Sequence, residues 1–348
     1  MMFFNDLDSR SVRERVDMTQ IWEAWLEAEE QRRHSFTGFL DWEERSGNEY
    51  LYRRKKKTVK SLGRRSEETE RIRQAFHAGR QENSERLSHL GKQMNQQAAI
   101  LKAMGLGRMP VPAARILRAI RLAAPHAAIR VVGTNALYAY EVLAGVKFDA
   151  SSTATGDIDL LVDDRNRLKI LTESEEEMGL IGLIHREVDK SFQPRSPRDF
   201  RLTNKDGYMV EFIRPEPRPI FRKMPGGTPL VAGDVEPAPI GGLQWLVNAP
   251  SVEVVAIDDG GFPVPMRTPD PRFWAAHKLW LAGRENRDPQ KKIRDGQQGC
   301  LLVELIAMKM PQFPFEKEFV RTLPRSLRSA VEAVLKEEPR LPQDKPNW

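Results

Sequence analysis

The sequence predicts an α+β fold: a small mixed sheet flanked by helices, with helical regions before and after it. Three observations carry that expectation. Short apolar runs alternate with helical periods over residues 110–215. The first hundred residues are rich in charge and Gln and poor in Gly and Pro. After a Pro- and Gly-dense stretch at 214–242, the chain returns mainly to helical spacing.

These shifts divide the 348 residues into an N-terminal helical region with a hairpin (1–107), a core (108–215), a C-terminal hairpin and helical region (216–338) and a disordered tail (339–348). Hydrophobic residues at 40% and charged residues at 30% suffice for a sizeable core and exclude a wholly disordered chain. No apolar run approaches the ~20 residues of a membrane helix, and the first ten residues are acidic, unlike a secretory leader. A soluble, cytoplasmic protein is expected. The single Cys300 excludes an intrachain disulfide and any multi-cysteine metal site, and the six histidines lack metal-ligand spacing. The net charge of +6, from 55 Lys+Arg against 49 Asp+Glu, is only mildly basic.

In chain order, Ile21, Trp22, Trp25 and Leu26 mark one helix face. GFLDWEERSGNEYLYRRKKK reads as a hairpin about a Ser46-Gly47-Asn48 turn. A second helix spans about Glu67 to Leu106, with Ile72, Phe76, Leu87, Leu90 and Leu101 as core candidates. A helix follows Pro112 and stops before Pro125. Next come a buried strand at Ile129–Val132, a tight Gly133-Thr134 turn, and a helix whose Ala136, Leu137, Tyr140, Leu143 and Ala144 share a face, with Gly145 beyond its end. Further strands are expected at Asp157–Val162, ended by Asp163 and Asp164, and at Tyr208–Ile213 after an Asn204–Gly207 turn. Val252–Ile257 and Phe262–Met266 form another hairpin, and helices follow at PDPRFWAAHKLWLAGR, Cys300–Met310 and Leu327–Leu335.

The chemistry concentrates in GTNALYAYEVLAGVKFDASSTATGDIDLLVDD. Side chains alternate along a strand, so Asp157 and Asp159 point to one face, about 7 Å apart. Two carboxylates there can hold a hard cation such as Mg²⁺. A third permits two ions ~4 Å apart, one activating an attacking hydroxyl and one stabilising the leaving phosphate. Asp-x-Asp alone is weak, since chance supplies roughly one per chain. Asp6 and Asp8 repeat the spacing in a polar N-terminus, whereas Asp157 and Asp159 open an apolar strand downstream of a strand–Gly–helix unit.

Gly133 lets a ligand approach the backbone where a helix begins, which favours phosphate, and Thr134 adds a hydroxyl. An ordinary strand-to-helix turn would read the same way. Glu211 in YMVEFI is the third carboxylate; it shares a face with Met209 and Ile213, which is odd for an acid without a partner, although an edge strand could turn it to water. Neither a Walker lysine motif nor GxGxxG is present.

Together, the strand–Gly133-Thr134–helix unit, Asp157-Ile158-Asp159 and Glu211 resemble the polymerase-β-type nucleotidyltransferase superfamily, in particular the bacterial nucleotidyltransferase-fold proteins related to abortive-infection and minimal nucleotidyltransferases. TPDPRFWAAHKLWLAGRENRDPQKKIRD extends the likeness, which covers roughly residues 110–300. Two departures stand out: Thr134 occupies the usual Ser or Gly position, and the gap to Asp157 is long, which makes VKFDASSTATG an inserted loop. The resemblance implies an α/β-type nucleotidyltransferase core that transfers NMP from an NTP, ATP among them, to an acceptor hydroxyl with release of pyrophosphate. It implies that two Mg²⁺ ions are held by Asp157, Asp159 and Glu211, and that Gly133, Thr134 and Lys278 bind the nucleotide. Lys278 could equally be a solvated lysine at a helix edge, and Lys291, Lys292 and Arg294 a solvated face.

The densest basic run holds Arg53, Arg54, Lys55, Lys56, Lys57, Lys60, Arg64 and Arg65, after Trp42, Tyr50 and Tyr52. Aromatics beside cations suit RNA, and a solvated hairpin end fits the same residues. The acceptor is then RNA or a protein. The rival readings are a non-catalytic RNA- or partner-binding module on the same fold and a toxin-like defence nucleotidyltransferase.

Overall fold

The computed structural model describes residues 4–55, 58–163, 179–196, 199–217 and 234–337. The chain divides into two compact units: residues 10–107 with 260–263, and residues 1–9, 108–259 and 264–348. The expected disordered tail lies outside the described residues, as does Asp164.

The first strand, β1 (Phe4–Asp6), belongs to the larger unit, and the helix α1 (Ser9–His34) to the smaller. The smaller unit continues with β2 (Phe39–Arg45), β3 (Asn48–Lys55), β4 (Thr58–Arg64) and α2 (Glu67–Ala103). β2 and β3 pair antiparallel from Phe39↔Arg54 to Arg45↔Asn48, so the expected hairpin forms, and β4 extends it to a three-stranded meander. Ser66 caps α2 through a reciprocal capping box with Thr69. Asn83 donates to the Ala28 carbonyl at 2.9 Å and Gln97 to that of Glu14 at 3.0 Å, so α1 and α2 run antiparallel. Met18, Trp22, Leu90, Ala98 and Leu101 are buried, but Ile72, expected in the core, is 39% exposed because it falls on the outer face of α2.

The larger unit resumes with α3 (Val111–Ala123), which has Pro in its first turn, then β5 (Ile129–Val132), α4 (Ala136–Ala144), β6 (Val146–Phe148), α5 (Ala150–Thr153) and β7 (Asp157–Val162). Instead of an inserted loop, residues 146–153 form a strand and a helical turn, and β1 pairs antiparallel with β6. The stretch around Asp6 is therefore an ordered strand. Then come α6 (Leu180–Glu187), β8 (Gln193–Pro194), β9 (Arg201–Thr203), β10 (Met209–Pro215), β11 (Ala238–Ile240) and α7 (Leu243–Asn248). The chain closes with the hairpin β12 (Ser251–Ile257) and β13 (Pro263–Pro269), and the helices α8 (Pro271–Ala282), α9 (Pro289–Lys309), α10 (Lys317–Thr322) and α11 (Arg325–Glu337).

The main sheet runs β5-β7-β10-β9-β8, with β11 on β10. β7 and β10 are parallel while β5–β7, β10–β9 and β9–β8 are antiparallel, which makes the sheet mixed. The α+β expectation holds. One addition is β11, which lies inside the Pro- and Gly-dense stretch at 214–242 and pairs parallel with the end of β10.

The period of two decides what each sheet face does. Ile158, Leu160, Val162, Val210 and Phe212 pack into a core with α3 and α6. On the opposite face Leu161 and Ile213 pack with Leu243, Leu246 and Val247 of α7. Asp157, Asp159, Met209 and Glu211 belong to that same face but sit at the other end of the strands, where they remain partly exposed. One half of the face is thus sealed by α7, and the other half is acidic. Beside it, Ala136, Leu137 and Tyr140 of α4 are buried with Trp274, Leu279, Leu302 and Ile306 of α8 and α9.

Candidate active site

Hydrogen-bond register puts the acidic residues in rows. Val132 pairs with Asp159, Asp159 with Glu211, and Glu211 with Arg201, so four neighbouring strands contribute one line of residues across the sheet. The next row holds Asp157, Met209 and Thr203.

Gly133 follows Val132 with φ +60, a conformation that costs a residue bearing a β-carbon. A β-carbon there would also overlap the Asp159 carboxylate. Glycine is required twice over, by the turn and by its neighbour. Thr134 is buried beside it, and its Oγ1 receives the Gln298 amide at 3.3 Å; the same amide reaches the Ser152 carbonyl at 2.9 Å. Asn135 donates to the Asp157 carbonyl at 2.6 Å, and the Thr155 hydroxyl donates to Asp157 Oδ1. These bonds fix β7 against the start of α4.

The electrostatics follow from this crowding. Burial, then the charges of Asp157 and Glu211, push the Asp159 carboxyl up to about 7, against the opposing pull of Lys278 and Lys291. Burial and two neighbouring carboxylates thus outweigh the two lysines. Burial and the charges of Asp157 and Asp159 likewise raise the phenol of Tyr208, the residue just before β10.

α8 supplies the cationic side. Trp274 donates to the Gly133 carbonyl at 3.2 Å, and Lys278, one turn on, is buried with its ammonium 2.7 Å from Asp295. Asp295 also accepts Arg287 at 2.6 Å. Lys278 is therefore an anchored charge and not a solvated edge residue. Burial lowers its basicity, while Asp295 and Asp159 raise it. Lys291 is exposed, and Arg294 donates to the Ala154 carbonyl.

The donor set suits a hard divalent cation: three carboxylates on one face. The carboxylates do not yet converge. Among the described residues no three His, Cys, Asp or Glu side chains are gathered as a metal group, and Glu211 instead lies 2.8 Å from Arg201 Nε. Arg201, Trp274, Asp295 and Gln298 escaped the sequence reading as site residues. Of these, Trp274 and Asp295 lie within the segment that extends the family likeness.

In the smaller unit, Arg53 donates to the Ser35 carbonyl at 2.8 Å and lies over the Phe76 ring. Arg54 pairs with Glu43, and Lys55 donates to the His34 carbonyl at 2.7 Å. Lys56 and Lys57 lie outside the described residues.

A family model described as "Nucleotidyltransferase" matches residues 112–323, well over half of the chain and all of the acidic face. Among curated proteins none matches. Among solved structures, an antigenic nucleotidyltransferase-like protein from Paracoccidioides brasiliensis aligns at 15% identity over 66% of this chain and 88% of its own, with a TM-score of 0.34.

Proposed function

Because the chain belongs to this nucleotidyltransferase family, we propose that it moves an NMP unit from an NTP onto an acceptor hydroxyl of RNA or a protein, with release of pyrophosphate. The observation that carries this reading is Gly133 against the row Val132–Asp159–Glu211: a turn stripped of side chain beside a pair of carboxylates in hydrogen-bond register on neighbouring strands.

Each residue then has a task. The bare backbone of Gly133 admits the triphosphate at the start of α4, and the Thr134 hydroxyl, steadied by Gln298, contacts a phosphate oxygen. Lys278 Nζ, oriented by Asp295, faces the charge that develops on the departing pyrophosphate. Asp157, Asp159 and Glu211 are the residues that would hold Mg²⁺. The charge of Glu211, the third carboxylate of the face, would favour loss of the acceptor proton. The two ions, when bound, supply Lewis-acid stabilisation of the attacking and leaving oxygens.

The test is Mg²⁺-dependent incorporation of four labelled NTPs into RNA and protein acceptors. Asp157→Asn and Asp159→Asn are expected to lose at least a hundred-fold in rate while melting cooperatively. Asp6→Asn, on β1 and paired with Lys309 at 2.7 Å, is expected to transfer normally. Unchanged turnover in both strand variants would refute the assignment. NTP or RNA binding without transfer under any of these conditions would favour a binding module.

A further inference from the structure

The row across the sheet does not end at Glu211. Its next member is Arg201, the register partner of Glu211 on β9. Arg201 Nε stands 2.8 Å from Glu211 Oε1, and the guanidinium lies over the neighbouring Phe200 ring at 4.5 Å. Among the described residues, Glu211 is the only charged group paired with the Arg201 guanidinium; the Arg201 backbone N–H donates separately to Asp199 Oδ1 at 3.1 Å. The contact is a charge contact without a formed hydrogen bond, since the buried Nε–H of Arg201 has no aligned acceptor. Such a pair, with one side 40% exposed, is weak and reversible.

We infer that Arg201 is a built-in counter-ion for Glu211, which a divalent cation must displace when it loads the acidic face. Arg201 is on this account a positioning residue that sets the metal affinity of the site. The inference rests on the reading of Asp157, Asp159 and Glu211 given above.

The physical argument is a competition for one carboxylate. A divalent cation carries twice the charge of a guanidinium and approaches a carboxylate oxygen to about 2.1 Å, so it wins at sufficient concentration. In its absence, Glu211 is held by Arg201, its register partner on β9. This accounts for why three carboxylates that share a face are not gathered into a metal group among the described residues.

The experiment measures Mn²⁺ binding to the full chain without nucleotide, by the electron paramagnetic resonance signal of free Mn²⁺. Arg201→Gln is expected to lower the Mn²⁺ Kd about five-fold, the equivalent of a partly exposed ion pair near 1 kcal/mol. Lys205→Gln makes the same charge change in the exposed turn after β9 and is expected to move Kd less than two-fold. In a Glu211→Gln background, Arg201→Gln is expected to lose its effect. Without metal, Arg201→Gln is expected to melt below the wild type and to gain more on adding Mn²⁺.

An unchanged Kd in Arg201→Gln, or the same five-fold gain with Glu211 already neutralised, would overturn the inference and leave the acidic site standing. Wild-type binding that is indifferent to both Asp157→Asn and Asp159→Asn would overturn the site and the inference together.

Discussion

Gly133 presses against Asp159 so closely that a β-carbon on residue 133 would stand 2.9 Å from the carboxylate carbon. Gly145, at the end of α4, has nearly the same φ, +66 against +60, but open space where its β-carbon would go. The two glycines separate backbone cost from contact cost. Gly145→Ala is expected to lose about 1 kcal/mol, the penalty of a left-handed conformation alone. Gly133→Ala is expected to lose at least twice that, and to abolish nucleotide binding as Asp159 is driven off its position. Thermal melts paired with nucleotide titration measure both.

The Asp159 carboxyl gives the metal-free protein a pH signature of definite sign. Its folded value is about 7 against 3.8 for an unperturbed aspartate, raised first by burial. Between those values the folded state holds a proton that the unfolded chain has released, so the contribution of this residue to stability falls as pH rises from about 4 to about 7. At about 1.4 kcal/mol per pKa unit, discounted for partial exposure, the loss is roughly 2 kcal/mol. Comparison of wild type with Asp159→Asn in chelator, by denaturant melts across that window, isolates it. Asp159→Asn is expected to show the flatter profile, and parallel profiles would place the shifted group elsewhere.

Asp295 holds two cations, Lys278 at 2.7 Å and Arg287 at 2.6 Å, and is itself buried. Removal of one member of a buried pair leaves an uncompensated charge, at a cost of about 3 kcal/mol. Asp295→Asn is therefore expected to melt well below the wild type. Lys278→Met with Asp295→Leu removes both charges and is expected to recover part of that stability while transfer stays lost. An Asp295→Asn variant of unchanged stability would show that Arg287 and Lys278 find water instead.

What could be read in advance divides along physical lines. β5 and β7 were legible because each is an apolar run of strand length bounded by polar or glycine residues, and α4 because its apolar residues recur at helical spacing before Gly145. β8, β9 and β11 have two or three residues, too few to display any period. β4, TVKSLGR, is mostly polar and exposed, so its pairing with β3 leaves no apolar alternation. The carboxylates could be assigned to one face from the strand period, and Glu211 from its place opposite buried Val210 and Phe212. Arg201, however, reaches Glu211 only through the register of β9 on β10, and Gln298 reaches Thr134 across 164 positions of sequence. Neither meeting has a local signal.

The basic run of the smaller unit carries the last prediction, which concerns the acceptor. Arg53 and Lys55 donate to carbonyls at the end of α1, and Arg54 pairs with Glu43, so these cations already serve the meander. Arg65 likewise bridges Glu49 and Glu70 at 2.6 Å, whereas Lys60 is exposed on β4. If RNA is the acceptor, replacement of Arg53, Arg54, Lys55, Lys56 and Lys57 by Gln is expected to weaken binding and to flatten its salt dependence. Each lost phosphate contact reduces the log–log slope by roughly 0.7 to 0.9. The total is expected to fall short of five contacts, because Arg54 is spent on Glu43. Nucleotide binding at Gly133 is expected to be untouched, and Asp157→Asn with Asp159→Asn is expected to keep RNA affinity while losing transfer. A lowered melting temperature with an unchanged slope would assign the run to holding the meander together, and would turn the search for the acceptor toward proteins.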